Sequence, residues 1–554
     1  MSKQNYSYSF SLVSLGCPKN LTDSETMSGM LIQAGWNFKT EIIDSIDLMI
    51  INSCGFLQSA RDETFEQIDI FSDLKSKGII KRLIVTGCVI NSNAENLQKR
   101  FSLVDAWLSP FDEHKIQEVA DILFSRINNP KNKDNSHQTS TLQTSQAKDD
   151  DNSKQETETN VLEKNLDKTE CLLPNNSNNS QNFKLLNNNN LPLFYFHPER
   201  QLTFNDYSRR LLTAPHIAYL KIADGCDRFC SYCSIPSIRG RFVSKTKQNI
   251  LDESKRLADQ GVRELVLIAQ ETTFWGKDLY GQPKLAELLA QLKENNDFDW
   301  IRVLYTYPLF FSDELISLFK LEEKPIFQNK KAENIQISNA VSHKNENHEL
   351  LTRKEDRKTS ILPYIDIPLQ HCNDQILKHM NRRIGKSETE ELLTRLREKI
   401  NDLVLRTTMI VGFPGETEEI FMELIAFMKK WKFERAGIFE FSAEKGTPAF
   451  DMKPHISQNV KARRYRTIYR LQENISKNIA RSWTGKILNV LIDDVGRNES
   501  GNIVSNLFLG RTFADSPDID PIVYITGENL KPGELVPCEI VTSHDLDLIA
   551  VPVE

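Results

Sequence analysis

At 554 residues, 39% of them apolar, the chain is too long for one core and has enough apolar side chains to fill three or four. A formal net charge of −7 and a pI near 5.9 exclude a general nucleic-acid coat, although local patches need separate counting. No run approaches the roughly 18 apolar residues of a membrane span, the amino terminus lacks the apolar core of a secretory signal, and nine unevenly spaced cysteines fit a reducing cytoplasm where thiols serve metals or catalysis.

From Ser9 to Phe124 short apolar runs alternate with amphipathic stretches, which predicts the strands and helices of a parallel α/β sheet over residues 8–127. SFSLVSLG runs into Cys17, IDLMIINS into Cys54 and KRLIVTG into Cys88, so each cysteine stands where a predicted strand stops. Strand carboxyl ends form the ligand crevice of such sheets, and three thiols distant in sequence are expected to converge there. One cysteine at a strand end is more simply a small buried hydrophobe; three at equivalent ends are not so easily dismissed. Thr22 with Glu25, and Ser59 with Asp62, read as capping boxes that open helices, and Phe65, Ile68, Phe71 and Leu74 then recur at helical spacing.

Residues 128–205 read as a low-complexity linker. Over 128–190, 16 of 63 residues are asparagine and Phe183 is the one aromatic, too polar a composition to fold, so Cys171 within it is taken as a bystander. HIAYLKIAD, RELVLIAQE, WIRVLYTYP, YIDIPLQH, VLRTTMIVG and RAGIFEFS then alternate with helical patterns, predicting a partial (β/α) barrel over 206–450 with a polar insertion at 322–360. A connecting helix within 451–483 leads to 484–554, whose short β-rich runs between Gly and Pro predict a small β-barrel.

CDRFCSYC places Cys226, Cys230 and Cys233 within eight residues, directly after the first barrel strand. A structural zinc site takes four ligands, and His216, ten residues before Cys226, is an awkward fourth. A ferredoxin-type cluster also takes four thiolates. Three thiolates on a four-iron cluster leave one iron open to chelate a small molecule and pass it an electron.

With this C-x3-C-x2-C loop the chain resembles the radical S-adenosylmethionine superfamily. The resemblance implies that Cys226, Cys230 and Cys233 hold a 4Fe-4S cluster whose open iron binds S-adenosylmethionine, and that its reductive cleavage gives a radical able to take hydrogen from an unactivated carbon. Phe229 and Tyr232 would shield the cluster or touch the nucleoside, plain packing being the competing reading. SLGCPKNLTDSE, INSCGF and VTGCV resemble the cysteine segments of the methylthiotransferases, which implies a second 4Fe-4S cluster on Cys17, Cys54 and Cys88 that carries the sulfur to be transferred. LIAQETTFWG, PYIDIPLQHCNDQILKHMNRR, LRTTMIVGFPGETEE and FSAEKGTPAF agree with that family. By position, Gln270 and Glu271 are expected at the amino group of S-adenosylmethionine, Arg406 at its carboxylate and the turn from Gly412 to Gly415 at its adenosine. Against this stand a structural carboxylate partner for Arg406 and a plain glycine turn. Cys372, Cys538 and His371 are expected to be structural.

Known methylthiotransferases modify either adenosine beside the anticodon of transfer RNA or an aspartate of a small-subunit ribosomal protein, protein twelve, consuming two S-adenosylmethionine per turnover. The last 71 residues resemble the TRAM domain that docks substrate in this family. They carry four Lys and Arg against twelve Asp and Glu, a net of −8 that leaves the rest of the chain at +1. An RNA-docking surface should be basic, whereas an acidic one suits a basic ribosomal protein; a merely solvated acidic face is the bland alternative. SLGCPKN and QETTFWG also stand closer to the ribosomal-protein branch. The expected protein is a monomeric cytoplasmic transferase, methylthiolating the β-carbon of an aspartyl residue and served by a reductant such as flavodoxin or ferredoxin and by a sulfur donor. A transfer RNA adenosine methylthiotransferase, or a non-catalytic iron-sulfur carrier or ribosome-assembly binder, are the alternatives.

Overall fold

The computed structural model describes residues 8–42, 45–92, 97–125, 193–195, 209–295, 297–322 and 358–553. The polar stretches 126–192 and 323–357, with Cys171, lie outside the described residues.

The amino-terminal sheet contains β1 (Ser9–Ser14), β2 (Asn37–Phe38), β3 (Ile46–Ser53), β4 (Ile80–Gly87), β5 (Ala106–Leu108) and β6 (Leu193–Tyr195), ordered β2-β1-β3-β4-β5-β6 and parallel throughout. The three apolar runs that end in cysteines are thus its adjacent middle strands. Ser14 pairs with Asn52 and Ser53 with Gly87, so their carboxyl ends are level. Alternation sorts the side chains: Phe10, Leu48, Ile50 and Ile84 pack on helices Pro18–Gln33 and Ile116–Ser125, while Met49, Ile51, Leu83 and Val85 meet Ile68 and Phe65 of helix Gln58–Ser76.

Two expectations fail here. The capping boxes do not open their helices: the first starts at Pro18 with Cys17 as its cap, and the second at Gln58 after Leu57, with no side-chain cap bond on either. Proline at the first helical position has a pre-set φ and no N–H to satisfy, so that helix begins five residues earlier than a cap at Thr22 would start it. The Thr22 hydroxyl instead donates back to Lys19 O at 2.8 Å, and Glu25 binds Arg209. The proposed linker 128–205 also contains a strand. Leu193–Tyr195 pairs with β5, its short aromatic run hidden by the polar composition around it.

The central domain is an open parallel wall of six strands in chain order: β7 (Ile217–Lys221), then β10 (Glu264–Ile268), β11 (Trp300–Val303), β12 (Ser360–Asp366), β13 (Val404–Val411) and β14 (Arg435–Glu440). Between β7 and β10, β8 (Ala223–Asp224) and β9 (Val243–Ser244) pair across the cysteine loop. Leu220, Leu267, Val303, Ile365 and Leu405 face the outer helices; Tyr219, Val266, Tyr364 and Val404 face inward. The connecting helix is Gln458–Arg481. It leads to a closed barrel of β15 (Ile487–Arg497), β16 (Ile503–Arg511), β17 (Val523–Thr526), β18 (Leu535–His544) and β19 (Asp547–Pro552).

This small barrel shares a core with the inward face of the wall, and its segment from Arg511 to Asp520 closes the wall at the strand amino ends. Arg302, itself held by Glu264, donates to Phe513 O at 2.9 Å; Arg435 pairs with Asp515 at 2.6 Å; Tyr219 and Tyr364 donate to Asp518 and Asp520. Asp493 accepts from Arg511 at 2.7 Å and faces His216 Nε2 at 3.0 Å. The acidity counted in the sequence is therefore not all available for docking, because Asp493, Asp515 and Asp520 are engaged against the wall and Asp518, although exposed, accepts from Tyr219. Among the described residues no helix is long and apolar enough to cross a membrane.

Candidate active site

The cysteine loop between β8 and β9 is fixed by its backbone. Gly225 has φ +72°, and a Cβ there would lie 2.0 Å from Arg241 O, so only glycine lets the loop's two ends approach. Arg228 forks onto Glu271 and lies over the Tyr307 ring at 4.3 Å. Phe229, at φ +49°, accepts from Asn381 Nδ2 at 2.8 Å through its carbonyl. Ser231 N donates to Met380 O at 3.0 Å, and its carbonyl accepts from Ala449 N at 2.8 Å. The stretches HMNRR and GTPAF thus buttress the loop. Burial pushes the Cys226 thiol up to about 12 and the Cys233 thiol further. Such sulfurs need a positive partner to stay as thiolates; among the described residues no group of three or more His, Cys, Asp or Glu is already gathered to hold a metal ion.

The second trio is assembled from the level strand ends. Cys17 caps its helix, Cys54 follows β3, and Cys88 follows Gly87, whose φ is +95°. A Cβ on Gly16 would lie 2.9 Å from Cys54 Sγ, and one on Gly55 would lie 2.6 Å from Cys88 O, so glycines give the three segments room to meet. Burial raises the Cys88 thiol to about 12 and also raises Cys54.

Between the trios lies a buried polar network that the sequence reading missed. Arg239, only 2% exposed, donates through Nε to Cys88 Sγ at 3.3 Å and through one terminal nitrogen to Asp23 at 2.8 Å and Asp224 at 3.1 Å. Asp224 also binds Lys221 at 2.9 Å, Gln270 Nε2 at 2.7 Å and Gly225 N at 2.8 Å. One arginine therefore links an auxiliary-trio sulfur to the carboxylate that holds the start of the other cysteine loop. Its one sequence signal is the RGR that follows the loop, which identifies no partner.

The residues expected at the cofactor divide into two groups. Gln270 and Glu271 stand with the cysteine loop, Glu271 clamping Arg228 and Gln270 using its amide nitrogen on Asp224 while its Oε1 is buried without a partner among the described residues. Arg406 pairs with Asp366 at 2.9 Å, close to Tyr305. Gly412, at φ +76°, donates to both Glu416 carboxylate oxygens at 3.1 Å and packs under Lys461 of the connecting helix. Its neighbour Phe413 belongs to an apolar cluster that Tyr232 of the loop packs against. His216 is turned to Asp493, His371 Nδ1 accepts from Asn373 N at 3.0 Å, and Cys372 and Cys538 lie in apolar cores.

Three family models match the chain: the Radical SAM superfamily over residues 220–428, Uncharacterized protein family UPF0004 over 9–109, and the TRAM domain over 484–553. The Ribosomal protein uS12 methylthiotransferase RimO of Acetivibrio thermocellus is 34% identical over 539 residues, covering 97% of each chain. That of Clostridioides difficile is 33% identical over 540 residues, again covering 97% of each. Among solved structures, the radical S-adenosylmethionine methyltransferase TsrM from Kitasatospora setae aligns over 80% of this chain and 77% of its own at TM-score 0.48 and 12% identity, which adds nothing to the closer sequence relationship. Relatives a third identical along nearly their whole length, with the same three domains in order, place the chain in the family of ribosomal protein uS12 methylthiotransferases, RimO.

Proposed function

We propose that this chain is a radical S-adenosylmethionine methylthiotransferase that replaces a β-hydrogen of an aspartyl residue in ribosomal protein uS12 with a methylthio group, consuming two S-adenosylmethionine per turnover. The observation that carries the reading is the full-length relationship to uS12 methylthiotransferases in a chain whose two cysteine trios sit on either side of one buried network. Cys226, Cys230 and Cys233 would hold one 4Fe-4S cluster and Cys17, Cys54 and Cys88 another. When bound, the first supplies the electron that cleaves S-adenosylmethionine and the second carries the sulfur.

The chain's own residues do the positioning. Arg228 and Glu271 hold the cysteine loop, and the unpartnered Gln270 Oε1 suits an ammonium hydrogen of the cofactor's methionine moiety. Arg406, oriented by Asp366, has guanidinium donors left for a carboxylate, and the Gly412 turn offers backbone close to an adenosine. Helix Pro18–Gln33 on one side and the segment Arg511–Asp520 on the other keep bulk water from the wall's interior, which strengthens every charge interaction there. Electron and sulfur come from separate donors in the cytoplasm, the first of flavodoxin or ferredoxin type.

The test is anaerobic incubation of the reconstituted protein with S-adenosylmethionine, reductant and sulfide, offering uS12 and unmodified transfer RNA separately. A gain of about 46 Da, one CH2S, on a single uS12 aspartate is expected by mass spectrometry. The same gain on an adenosine would overturn the substrate, and cofactor cleavage with no gain on either would remove uS12 as the target while keeping the radical chemistry.

A further inference from the structure

Two residues beyond Cys17, a buried ammonium stands without a carboxylate. Lys19 is 8% exposed, and its Nζ donates to Ala269 O at 3.3 Å and lies 3.4 Å from the centroid of the Tyr305 ring. The ring offsets part of the cost of burying the charge, but one long hydrogen bond leaves two of three donors unused. No Asp or Glu among the described residues forms an ion pair with it. The carboxylates nearby already have partners: Asp23 pairs with Arg239 and Lys221, Asp224 with both and with Gln270, and Asp366 with Arg406 and Tyr305 N.

Position narrows what the ammonium is for. Ala269 follows β10 and precedes Gln270, and Tyr305 lies just beyond β11, so Nζ sits over the carboxyl ends of the wall with Cys17 on one side and the cofactor loop's Gln270 on the other. A substrate carbon that must meet both trios arrives beside it. An unpaired buried charge is unfavourable, and a ligand of opposite charge completes it.

We propose that Lys19 is the carboxylate-receiving, specificity-determining residue of the site, an inference that rests on the function given above. Two carboxylates could reach it, that of the substrate aspartyl side chain and that of the cofactor's methionine moiety. Its place beside Cys17, and Arg406 as a separate guanidinium, favour the substrate.

The experiment compares cluster-loaded wild type, Lys19→Met and Lys19→Arg, with iron content and absorption spectrum confirming loading. Binding without reductant is measured for uS12, for uS12 with the target Asp changed to Asn, and for S-adenosylmethionine. Wild type should prefer the aspartate form by about 100-fold, Lys19→Met should bind both forms alike, and Lys19→Arg should keep part of the preference. If the preference survives in Lys19→Met and affinity for S-adenosylmethionine falls instead, the carboxylate received is the cofactor's. If neither changes, the proposal is overturned. Should wild type not bind uS12, the functional reading fails separately, and the S-adenosylmethionine arm alone decides whether Lys19 receives a carboxylate. Thermal melting without ligands adds a check on Lys19→Met: a raised Tm fits a charge kept for a ligand, whereas a lowered one shows a structural lysine and overturns the proposal.

Discussion

The two cysteine trios offer similar sulfur sets but are built by opposite means. Cys226, Cys230 and Cys233 lie on one short loop whose shape comes from a glycine, one forked ion pair and backbone bonds to flanking segments. Cys17, Cys54 and Cys88 come from three strands, and their meeting depends on the register of a whole sheet. A local motif survives as long as its loop does, whereas a topological one fails with any change that shifts a strand. The two segments still touch, through Arg239 and through Ser234, which donates to Phe56 O at 3.4 Å.

The strongest way to break the comparison is to remove sulfurs. Cys226→Ala, Cys230→Ala or Cys233→Ala should each lower cleavage of S-adenosylmethionine by about a thousandfold or more, read as 5′-deoxyadenosine by chromatography. Cys17→Ala should lose methylthiolation to a similar degree yet still cleave the cofactor. Cleavage surviving in the first set, or product formed by the second, contradicts the division.

Arg239→Gln attacks the buried link from Cys88 to the carboxylates beside the other loop. It removes the donor to Cys88 Sγ and strips a charge partner from buried Asp23 and Asp224, at a cost of about 3–5 kcal/mol in urea unfolding. Redox titration should find the auxiliary centre shifted more than the radical centre; equal shifts would mean that Arg239 serves both alike.

The glycines sharpen the contrast at lower cost. Gly225→Ala forces a Cβ onto Arg241 O at a positive φ, and Gly55→Ala forces one onto Cys88 O, each worth about 3 kcal/mol of local strain. Each variant should lose about half of the iron, the first from the radical trio and the second from the auxiliary one, distinguishable by electron paramagnetic resonance.

The smallest effect concerns the contact between the two regions. Arg209 binds Glu25 on the auxiliary side and Glu253 on the barrel side. Burial pulls the Glu253 carboxyl upward, but Arg209 and Lys245 outweigh it and hold it down at about 2. Its folded-state value therefore lies below the ordinary 4.5, so its contribution is complete above that pH and is lost as the pH falls towards 2. Acidification over that window should lower wild-type stability by about 2–3 kcal/mol more than that of Glu253→Gln, measured by urea midpoints.

How much could be read beforehand follows the same line. Buried parallel strands are continuous apolar runs, so β1, β3, β4 and the six strands of the wall were legible, and the cysteines at their ends with them. The CDRFCSYC loop was legible because its chemistry is local. Arg239 and Lys19 were not, since their partners lie 151 and 250 residues away and no local pattern names them. Thr22 and Glu25 fit a capping pattern whose position Pro18 had already pre-empted. The acidic count of the last domain was correct as a count and incomplete as an argument, since a formal charge carries no information about whether an arginine inside the protein already meets it.

Arg302, Tyr364 and Arg435 of the wall find partners in the segment from Phe513 to Asp520, and Glu264 answers both Arg302 and Arg511. The small barrel is consequently part of the catalytic domain's folding unit and not a detachable accessory. Heat or denaturant should take the wall and the small barrel apart in one cooperative step. A chain cut before Thr484 would bare the apolar inner face of the wall, so a truncated protein that fails to bind substrate would say nothing about where the substrate binds.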